Sequence, residues 1–486
     1  MDGRRRDSCP AKALLLTMLL GATWPACASS MFGDIDPFYS NAKVNPVPGK
    51  RWESPIPLPV VPPPPQAGIE VPTSALTLPE LTEYALRNNP RVRQAWFAAR
   101  AAAAGVGIEQ ADRLPQITGN YALQRILPVS ATTGSQSPWL TRYGPSVSIS
   151  YILFDFGLGS EQINAAEYRL LAANLNQNRV LQDIVFQVEQ AYYRLLGLNA
   201  LIKINESALQ NLSTVLDAVQ RRRDSGLATV ADVYRAETQV AQAQLNLTRS
   251  RGEYQKARGM LATAVGLSVT GTLNVQTMEG LPQIREITDS LTAVLERAKT
   301  ARPDLIAAEA QARAARSTAK AASRAGLPSI EINGASGYTE FNNPRPGVYN
   351  YALGLNVRIP IFSGFRDTYQ IRQAEAQAAQ AEATRDTLYR QTELDVWQAY
   401  YDVQTAAGGV SSTESQIKSA EQTLQATLAR YRAGFGSILD LITAQQDESN
   451  ARVQQIQSYL DWFTALARLN FSAGVNDILS GDKREK

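Results

Sequence analysis

A chain of 486 residues with 44% hydrophobic and 19% charged side chains can bury a sizeable core, and this composition excludes a disordered protein. The net charge of +3 is too small and too dispersed for a nucleic-acid-binding surface, so we expect no nucleic-acid partner. The chain contains no His, which excludes His-dependent catalytic triads and His-based zinc sites. We therefore expect no enzyme activity, no cofactor and no metal site.

Residues 1–28 have the layout of a secretory signal peptide. Three arginines at positions 4 to 6 precede the apolar run Ala13 to Ala22, and small residues follow. Cleavage after Ala28 satisfies the small-x-small rule through Ala26 and Ala28. Alternatively, Cys27 becomes the lipidated first residue of a bacterial lipoprotein, and both outcomes stay open. Either outcome predicts an exported protein, and no later stretch of about 18 apolar residues predicts a transmembrane helix.

A proline-rich segment at residues 29–75 contains the run VPPPP, which favours an extended arm with little secondary structure. The folded part is predicted to begin near Leu76 and to consist of two similar repeats at residues 76–280 and 281–475. A polar C-terminal tail at residues 476–486 follows the second repeat.

Matching landmarks in the two repeats indicate an internal duplication. Early landmarks match at a separation of 213 residues and later ones at 208. The difference arises because the first repeat has a longer loop between Leu114 and Phe154. The matching pairs are Asn89-Pro90 with Arg302-Pro303, Leu114-Pro115 with Leu327-Pro328, Gly226 with Gly434, and Asp232 with Asp440.

Each repeat begins with a predicted helix that ends at a Leu-Pro pair, because proline disfavours helix at its own position and in the preceding residue. These helices run from Pro79 to Arg113 and from Ser290 to Gly326. Apolar and polar residues then alternate in Pro115 to Phe154 and in Pro328 to Phe362, which predicts two hairpins with four amphipathic strands. The hairpin loops are predicted at Pro128 to Pro145 and at Thr339 to Asn350.

The longest helical signal follows each second strand. Apolar residues recur every three or four positions from Leu181 to Val219 and from Tyr389 to Thr427, which predicts coiled-coil seams. A continuous helix from about Gly159 to Asp224 would be about 100 Å long. The returning helix of the second repeat carries two adjacent apolar stripes, so we expect it to have neighbours on two sides, as in a closed ring of helices.

Strand length and alternation favour a membrane location. Each predicted strand has about nine to eleven residues, the length that crosses an outer membrane when the strand is tilted. A soluble sheet would show the same alternation, but the export signal and the lack of a helix with a broad apolar face argue against it. Open sheet edges are not tolerated in lipid, and four strands cannot close a barrel. We therefore expect a mixed α+β membrane protein in which three copies form a twelve-stranded β-barrel continuing into a ring of twelve helical passes.

Five segments that occur in order along the chain carry a family resemblance. They are LTLPELTEYALRNNPRVRQAW (Leu76 to Trp96), RLPQITGNY, SISYILFDFG (Ser148 to Gly157), IPIFSGFRD and RYRAGFGSILDLITAQ. Together they resemble the TolC-type outer-membrane efflux proteins, or outer membrane factors. The resemblance covers nearly everything from Leu76 to Val475.

This resemblance implies a homotrimer in the Gram-negative outer membrane, with a periplasmic tunnel of coiled helices. It further implies the export of drugs, other small molecules or unfolded protein. The expected partners are a periplasmic adaptor and an inner-membrane transporter of the RND, ABC or MFS type. Some family members are lipoproteins with an extended N-terminal arm, which keeps Cys27 open as a lipid anchor.

Two similar turns interrupt the long helices, RRRDSGLATVADV from Arg221 and RYRAGFGSILDL from Arg430. The resemblance implies that they form periplasmic tips that contact the adaptor and line a gate. The candidate residues are Arg223, Gly226, Asp232, Arg430, Tyr431, Gly434 and Asp440. Ordinary helix punctuation also explains the turns, with the glycines as left-handed terminators and Thr229 and Ser437 as N-caps. Relatives often carry a second gate carboxylate where this chain has Thr443, so the gate here is expected to use different partners.

The main alternative function is that of a periplasmic coiled-coil adaptor or scaffold of an export system, with a small β domain. An exported enzyme has little support, because Asp and Glu do not cluster in a strand-loop context.

Detergent dependence separates the channel from the adaptor. We expect the processed protein to leave the membrane only in detergent, because strands that face lipid need an apolar solvent. An adaptor should need at most a lipid anchor. Membrane fractionation followed by size-exclusion chromatography measures this, and a folded, water-soluble monomer without detergent would contradict the channel.

Overall fold

The computed structural model describes residues 75–127, 134, 139–269, 273–276, 284, 289–342 and 346–475. The predicted signal peptide with Cys27, the predicted arm except for its last residue, and the predicted C-terminal tail lie outside the described residues. Within the described part, the chain contains long helices and one sheet, which confirms the α+β fold class.

Both repeats contain the same elements in the same order. The first repeat has α1 (Leu78–Asn88), α2 (Pro90–Ala111), β1 (Gln116–Ile126), β2 (Leu140–Phe154), α3 (Leu158–Asp224) and α4 (Val230–Val265). The second repeat has α5 (Leu291–Ala301), α6 (Pro303–Arg324), β3 (Ser329–Phe341), β4 (Val348–Arg358), α7 (Arg366–Arg432) and α8 (Ile438–Ala473). Corresponding helices have equal lengths of 11, 22, 67 and 36 residues, which supports the internal duplication.

Each repeat starts with two helices, and the expectation of one helix from Pro79 to Arg113 and one from Ser290 to Gly326 is wrong. The breaks fall at Asn89 and Arg302, whose backbones are extended with ψ of 123° and 116°. Both residues precede a proline, whose ring disfavours the helical conformation in the residue before it. Asn89 also starts the next helix, because its side chain accepts a hydrogen bond from the Arg91 N–H at 3.0 Å.

The four strands form a single antiparallel sheet in the order β1-β2-β3-β4. The two hairpins are equivalent, since Gln116 lies opposite Ser150 in the first and the matching Ser329 lies opposite Arg358 in the second. Pairing of β2 with β3 joins the hairpins. Strands β1 and β4 are the two edges, and neither has a second strand partner among the residues that the structure describes.

β2 begins at Leu140, well inside the expected loop at Pro128 to Pro145, and β3 and β4 likewise extend into the second expected loop. The loop prediction stopped at Pro145, which cannot donate a hydrogen bond. The structure accommodates this proline because the ladder between β2 and β3 is interrupted beside it. At Gly144 a Cβ would lie only 1.8 Å from the Tyr338 carbonyl oxygen, so the close approach of β3 requires glycine there.

The long helices α3 and α7 pack against the returning helices α4 and α8 along the predicted coiled-coil seams. Buried seam residues are Ile184, Val188, Ala191, Leu195 and Val219 in α3, and Thr392, Val396, Ala399, Val403 and Val410 in α7. Among the described residues, no helix combines the length and the apolar character needed to cross a membrane.

α8 uses two faces, as its two apolar stripes predict. One face packs against α7 through a cluster that includes the buried Trp462. The other face meets α3, where Phe463 stacks on Tyr193 with ring centroids 4.6 Å apart. Leu460 fills the space over Gly197 of α3, so closely that a Cβ on Gly197 would lie 2.1 Å from Leu460 Cδ1.

α3 lies between helices of both repeats. It contacts α2 and α4 of its own repeat, and α6 and α8 of the other. Along α6, Leu175 of α3 packs against a cluster that contains Ala307 and Ala310. Laterally, the chain therefore runs from α2 and α4, through α3, to α6 and α8, and finally to α7.

An ionic network centred on the buried Arg302 joins the two repeats near the breaks between consecutive helices. Arg302, whose side chain is 3% exposed, binds Asp304 at 2.6 Å and Asp395 at 3.1 Å. Arg179 of α3 reaches Asp304 at 3.6 Å. Burial favours a higher pKa for Asp304, but its bonds to Arg302 and the charge of Arg179 leave the pKa lowered. Its stabilising contribution is therefore present above the ordinary carboxyl pKa and is lost as the pH falls through the lowered value.

Replacing Arg302 with Met should destabilise the fold strongly, because the partly buried charges of Asp304 and Asp395 would lose their main partner. We expect a loss of about 3–5 kcal/mol. The matched control is Arg468→Met, which removes a half-exposed partner of Asp402 at 3.5 Å and should cost about 0–1 kcal/mol. Denaturant unfolding followed by circular dichroism measures both variants, and equal effects would contradict a structural role for the network.

Candidate functional site

The turn between α3 and α4 ends the long helix with a left-handed glycine. Gly226 has φ of +74°, a conformation that glycine adopts without strain. The Leu227 N–H donates to the Arg222 carbonyl at 2.8 Å, and the Gly226 N–H donates to the Arg223 carbonyl at 2.8 Å. This pair of bonds is a Schellman motif, which satisfies carbonyls at the helix end.

The turn between α7 and α8 repeats this geometry. Gly434 has φ of +83°. The Phe435 N–H donates to the Arg430 carbonyl at 3.0 Å, and the Gly434 N–H donates to the Tyr431 carbonyl at 3.1 Å. The prediction that both glycines terminate helices in the left-handed conformation is therefore confirmed.

The two candidate carboxylates, Asp232 and Asp440, take part in capping boxes at the starts of α4 and α8. The Asp232 carboxylate accepts from the Thr229 N–H at 3.0 Å, and the Asp440 carboxylate accepts from the Ser437 N–H at 3.3 Å. The bonds from the Thr229 backbone and hydroxyl lower the pKa of Asp232. The predicted N-caps are confirmed, and each carboxylate already has a local structural role.

The candidate arginines differ in their surroundings. Arg223 donates to the carboxylate of its neighbour Asp224 at 3.0 Å. Arg430 is exposed and has no ion pair among the described residues. Within one chain, neither Asp232 nor Asp440 pairs with Arg223 or Arg430 in the part that the structure describes.

Tyr431 is only 9% exposed and belongs to a cluster that joins the two turns. This cluster contains Val215 and Val219 of α3, Val233 of α4, and Ile438, Leu441 and Ile442 of α8. The Arg222 guanidinium lies over the Tyr431 ring, 4.7 Å from its centroid, and donates to the Tyr431 carbonyl at 3.3 Å. Sequence reasoning did not identify Arg222, because its partner lies 209 residues away.

Two apolar residues at the turns are largely exposed to solvent, and sequence reasoning did not select them. Leu227 is 70% exposed and Phe435 is 83% exposed. They occupy equivalent positions, 208 residues apart. Each directly follows the glycine that ends a long helix, and this repeated Gly-apolar pair was the available sequence signal.

The described residues contain no group of three or more His, Cys, Asp or Glu side chains that could hold a metal ion. The repeated features at the turns are thus an exposed apolar residue, nearby arginines and a capping carboxylate. This combination suits contact with another protein, since exposed apolar groups flanked by charge are typical of interaction surfaces.

Comparison with known proteins gives a family match over both repeats. The model of the family described as outer membrane efflux protein matches residues 81–267 and 294–475. The gap between the two matches falls at the boundary between the repeats.

Individual relatives are distant but cover most of the chain. Protein CyaE of Bordetella pertussis is 27% identical over 393 residues, which cover 78% of this chain and 80% of the relative. Outer membrane protein TolC of Vibrio cholerae is 24% identical over 436 residues, which cover 85% of this chain and 95% of the relative. The crystal structure of the outer membrane protein VceC from Vibrio cholerae has a TM-score of 0.73 at 22% identity, covering 82% of this chain and 96% of that one.

These similarities support the channel and give no support to the alternative of a periplasmic adaptor. Proteins of this family are channels and not enzymes, and they lie in the outer membrane of Gram-negative bacteria with a helical tunnel in the periplasm. The chain belongs to the outer membrane efflux protein family and is an outer-membrane channel for efflux or secretion.

Proposed function

We propose that three copies of this chain form the exit duct of a tripartite export system. The duct receives small molecules or unfolded protein from an inner-membrane transporter of the RND, ABC or MFS type, through a periplasmic adaptor. The observation that carries this proposal is a four-stranded sheet with two unpaired edges, attached to two helices of 67 residues that each pack against a returning helix.

The unpaired edges support assembly from several chains. Backbone groups on a strand edge have no water to bind in a bilayer, so an open sheet is not tolerated there. Apolar side chains such as Tyr121 and Leu123 on β1, and Leu353 and Leu355 on β4, are exposed in the single chain. Pairing β4 of one subunit with β1 of the next in three copies would close a twelve-stranded β-barrel and cover both edges.

The repeated turns support an adaptor-binding role. In a trimer, Leu227 and Phe435 would present six exposed apolar side chains at one end of the helices. The two turns together carry five arginines and three aspartates, so the charge around these apolar residues is positive on balance. An adaptor tip that offers apolar residues and acidic groups would complement this surface, since buried aromatic anchors provide most of the energy in such contacts.

The same turns are the proposed gate. Arg430, which has no partner within the described part of its own chain, would pair with a carboxylate of a neighbouring subunit and narrow the opening. The proposed gate residues are Arg223, Asp232, Arg430 and Asp440, with the buried Tyr431 joining the two turns that carry them. Exposed ion pairs are individually weak, so an adaptor could replace them at low energetic cost.

The domain boundaries are part of the proposal as well. A cleaved signal peptide at residues 1–28, or acylation of Cys27, would precede the arm at residues 29–75. The repeats at 76–280 and 281–475 would each supply one hairpin and one pair of long helices.

Replacing Phe435 with Ser should weaken adaptor binding by at least about tenfold, because burial of a Phe side chain contributes about 2 kcal/mol or more at each copy. Leu227→Ser should act in the same direction. Co-purification with the adaptor after mild cross-linking of native membranes measures the effect. Val269→Ser is the matched control, since Val269 is exposed but distant in sequence from both turns. Unchanged adaptor recovery in both tip variants would contradict docking at the turns.

The gate assignment predicts that removal of charge, and not loss of a helix cap, opens the pore. Asp440→Asn and Arg430→Met should raise the closed-state conductance in planar bilayers several-fold. Ser437→Ala breaks the same capping box but keeps the carboxylate, so its closed conductance should stay close to that of the wild type. Unchanged closed conductance in both charge variants would refute the gate.

A further inference from the structure

We propose that, where α7 of one subunit packs between α2 and α4 of the next, the large and small residues of the seam are exchanged relative to the seam between the two repeats of one chain. This inference rests on the proposed homotrimer and goes beyond it by naming the surface, its partner and the side chains that fit together.

The seam between the two repeats of one chain is the template. There α3 of the first repeat packs against α6 and α8 of the second. At one level, Leu460 of α8 fills the space over Gly197 of α3. At another level, Leu175 of α3 packs against the small Ala307 and Ala310 of α6.

The duplication transfers this template to the subunit boundary. Corresponding helices have equal lengths, so each residue of α3 has a counterpart in α7, each residue of α8 one in α4, and each residue of α6 one in α2. Because α3 of the first repeat faces α6 and α8 of the second, α7 should face α2 and α4 of the first repeat in the next subunit. Within one chain these faces lie at opposite lateral ends of the helical array.

The face of α7 that would meet the next subunit is uncovered in the single chain. Trp397 is 50% exposed and Tyr401 is 43% exposed. Tyr401 is the counterpart of Tyr193, which stacks on Phe463 within the chain. Thr405 is exposed, whereas its counterpart Gly197 is buried. Large residues on a water-exposed helix face at coiled-coil spacing indicate a missing partner helix.

The faces of α2 and α4 that would receive α7 are also uncovered. Phe97 on α2 is 52% exposed, although its counterpart Ala310 is buried against α3. Gly252 on α4 is exposed, and a Cβ built on it would have no atom within 4 Å, although its counterpart Leu460 is packed over Gly197. The surfaces of α2 and α4 are therefore uncovered in the single chain, at positions whose counterparts in α6 and α8 are packed against α3.

Comparison of counterparts shows the exchange of sizes. Gly197 facing Leu460 within the chain becomes Thr405 facing Gly252 of the next subunit, so the larger residue changes sides. Leu175 facing Ala310 becomes Ala383 facing Phe97 of the next subunit, and the larger residue changes sides again. At both contacts, the larger side chain therefore lies on one helix in the seam within a chain and on the opposing helix in the seam between subunits.

This exchange makes the two seams unable to substitute for one another. If α7 met α8 of a second copy in the way that α3 does, Thr405 would be placed against Leu460, where the template tolerates no Cβ. Overpacking of this kind costs about 1–3 kcal/mol at each contact. The sizes therefore favour alternation of the two repeats around the ring and disfavour pairing of second repeats with each other.

Disulfide trapping tests the location of the seam. Gly252→Cys combined with Thr405→Cys in the full chain should give a covalent trimer on a non-reducing gel after mild oxidation, because α3 and α8 separate these positions within one subunit. The single variants should give no covalent trimer. The matched control is Gly252→Cys with Asp402→Cys, since Asp402 lies one turn from Thr405 and binds Arg468 of its own repeat.

Native mass spectrometry in detergent distinguishes failure of the seam from failure of the trimer. A wild-type chain that is not a trimer would refute the proposed duct itself. A trimeric double-cysteine variant that gives no covalent trimer, or gives one equally well in the Asp402 control, would overturn the seam alone. Cross-linking of either single variant to an adaptor would also overturn it, because these faces would then belong to a different partner.

Size exchange has its own test. Gly252→Leu should reduce the trimer fraction at least about tenfold, because the added side chain meets Thr405 three times per ring. Gly252→Leu with Thr405→Gly converts this contact into a copy of the Leu460 and Gly197 contact and should restore the trimer. Equal trimer fractions in the wild type and Gly252→Leu, or no restoration in the double variant, would contradict the proposed fit.

Discussion

The packing of α3 between helices of both repeats is the constraint on which the rest of the structure depends. Its buried residues Ile184 and Val188 face the core of the first repeat, and Gly197 admits Leu460 of the second. These contacts continue along a helix of 67 residues. They therefore hold the α3–α4 turn beside the α7–α8 turn at one end and keep the two β-hairpins in one sheet at the other. The network around Arg302 adds a polar connection between the same repeats. Because Arg302 is buried, loss of its carboxylate partners would leave an uncompensated charge and destabilise the fold.

Much of the fold follows from the sequence, because its signals are local or repeated. The seven-residue periodicity identified the seams of α3 and α7, and alternation identified the four strands. Pro90 and Pro303 lie inside otherwise continuous helical patterns, so the sequence favours one helix at the start of each repeat, although each proline disfavours helix in the residue before it. Strand β2 extends through Pro145 only because its ladder with β3 is interrupted there, which is a property of tertiary pairing that sequence alone does not contain.

The candidate site was predictable where its geometry is local. Gly226 and Gly434 end helices, and Thr229 and Ser437 start them, because capping depends on residues within one turn. The buried position of Tyr431 and its contact with Arg222 could not be predicted, because they bring together residues from different repeats. The function of the charged residues at the turns depends on contacts between subunits, and these lie outside what the sequence of one chain can determine.

The equal lengths of α3 and α7 have a consequence for how the gene can change. Loss of one heptad from α3 alone would shorten its reach by about 10 Å, and its turn would no longer lie level with the turn of the other repeat. A partner that binds both turns at once would then find them at different heights along the helix axis. Insertions and deletions in the long helices should therefore be tolerated only as matched pairs, so each half of the gene limits the evolution of the other.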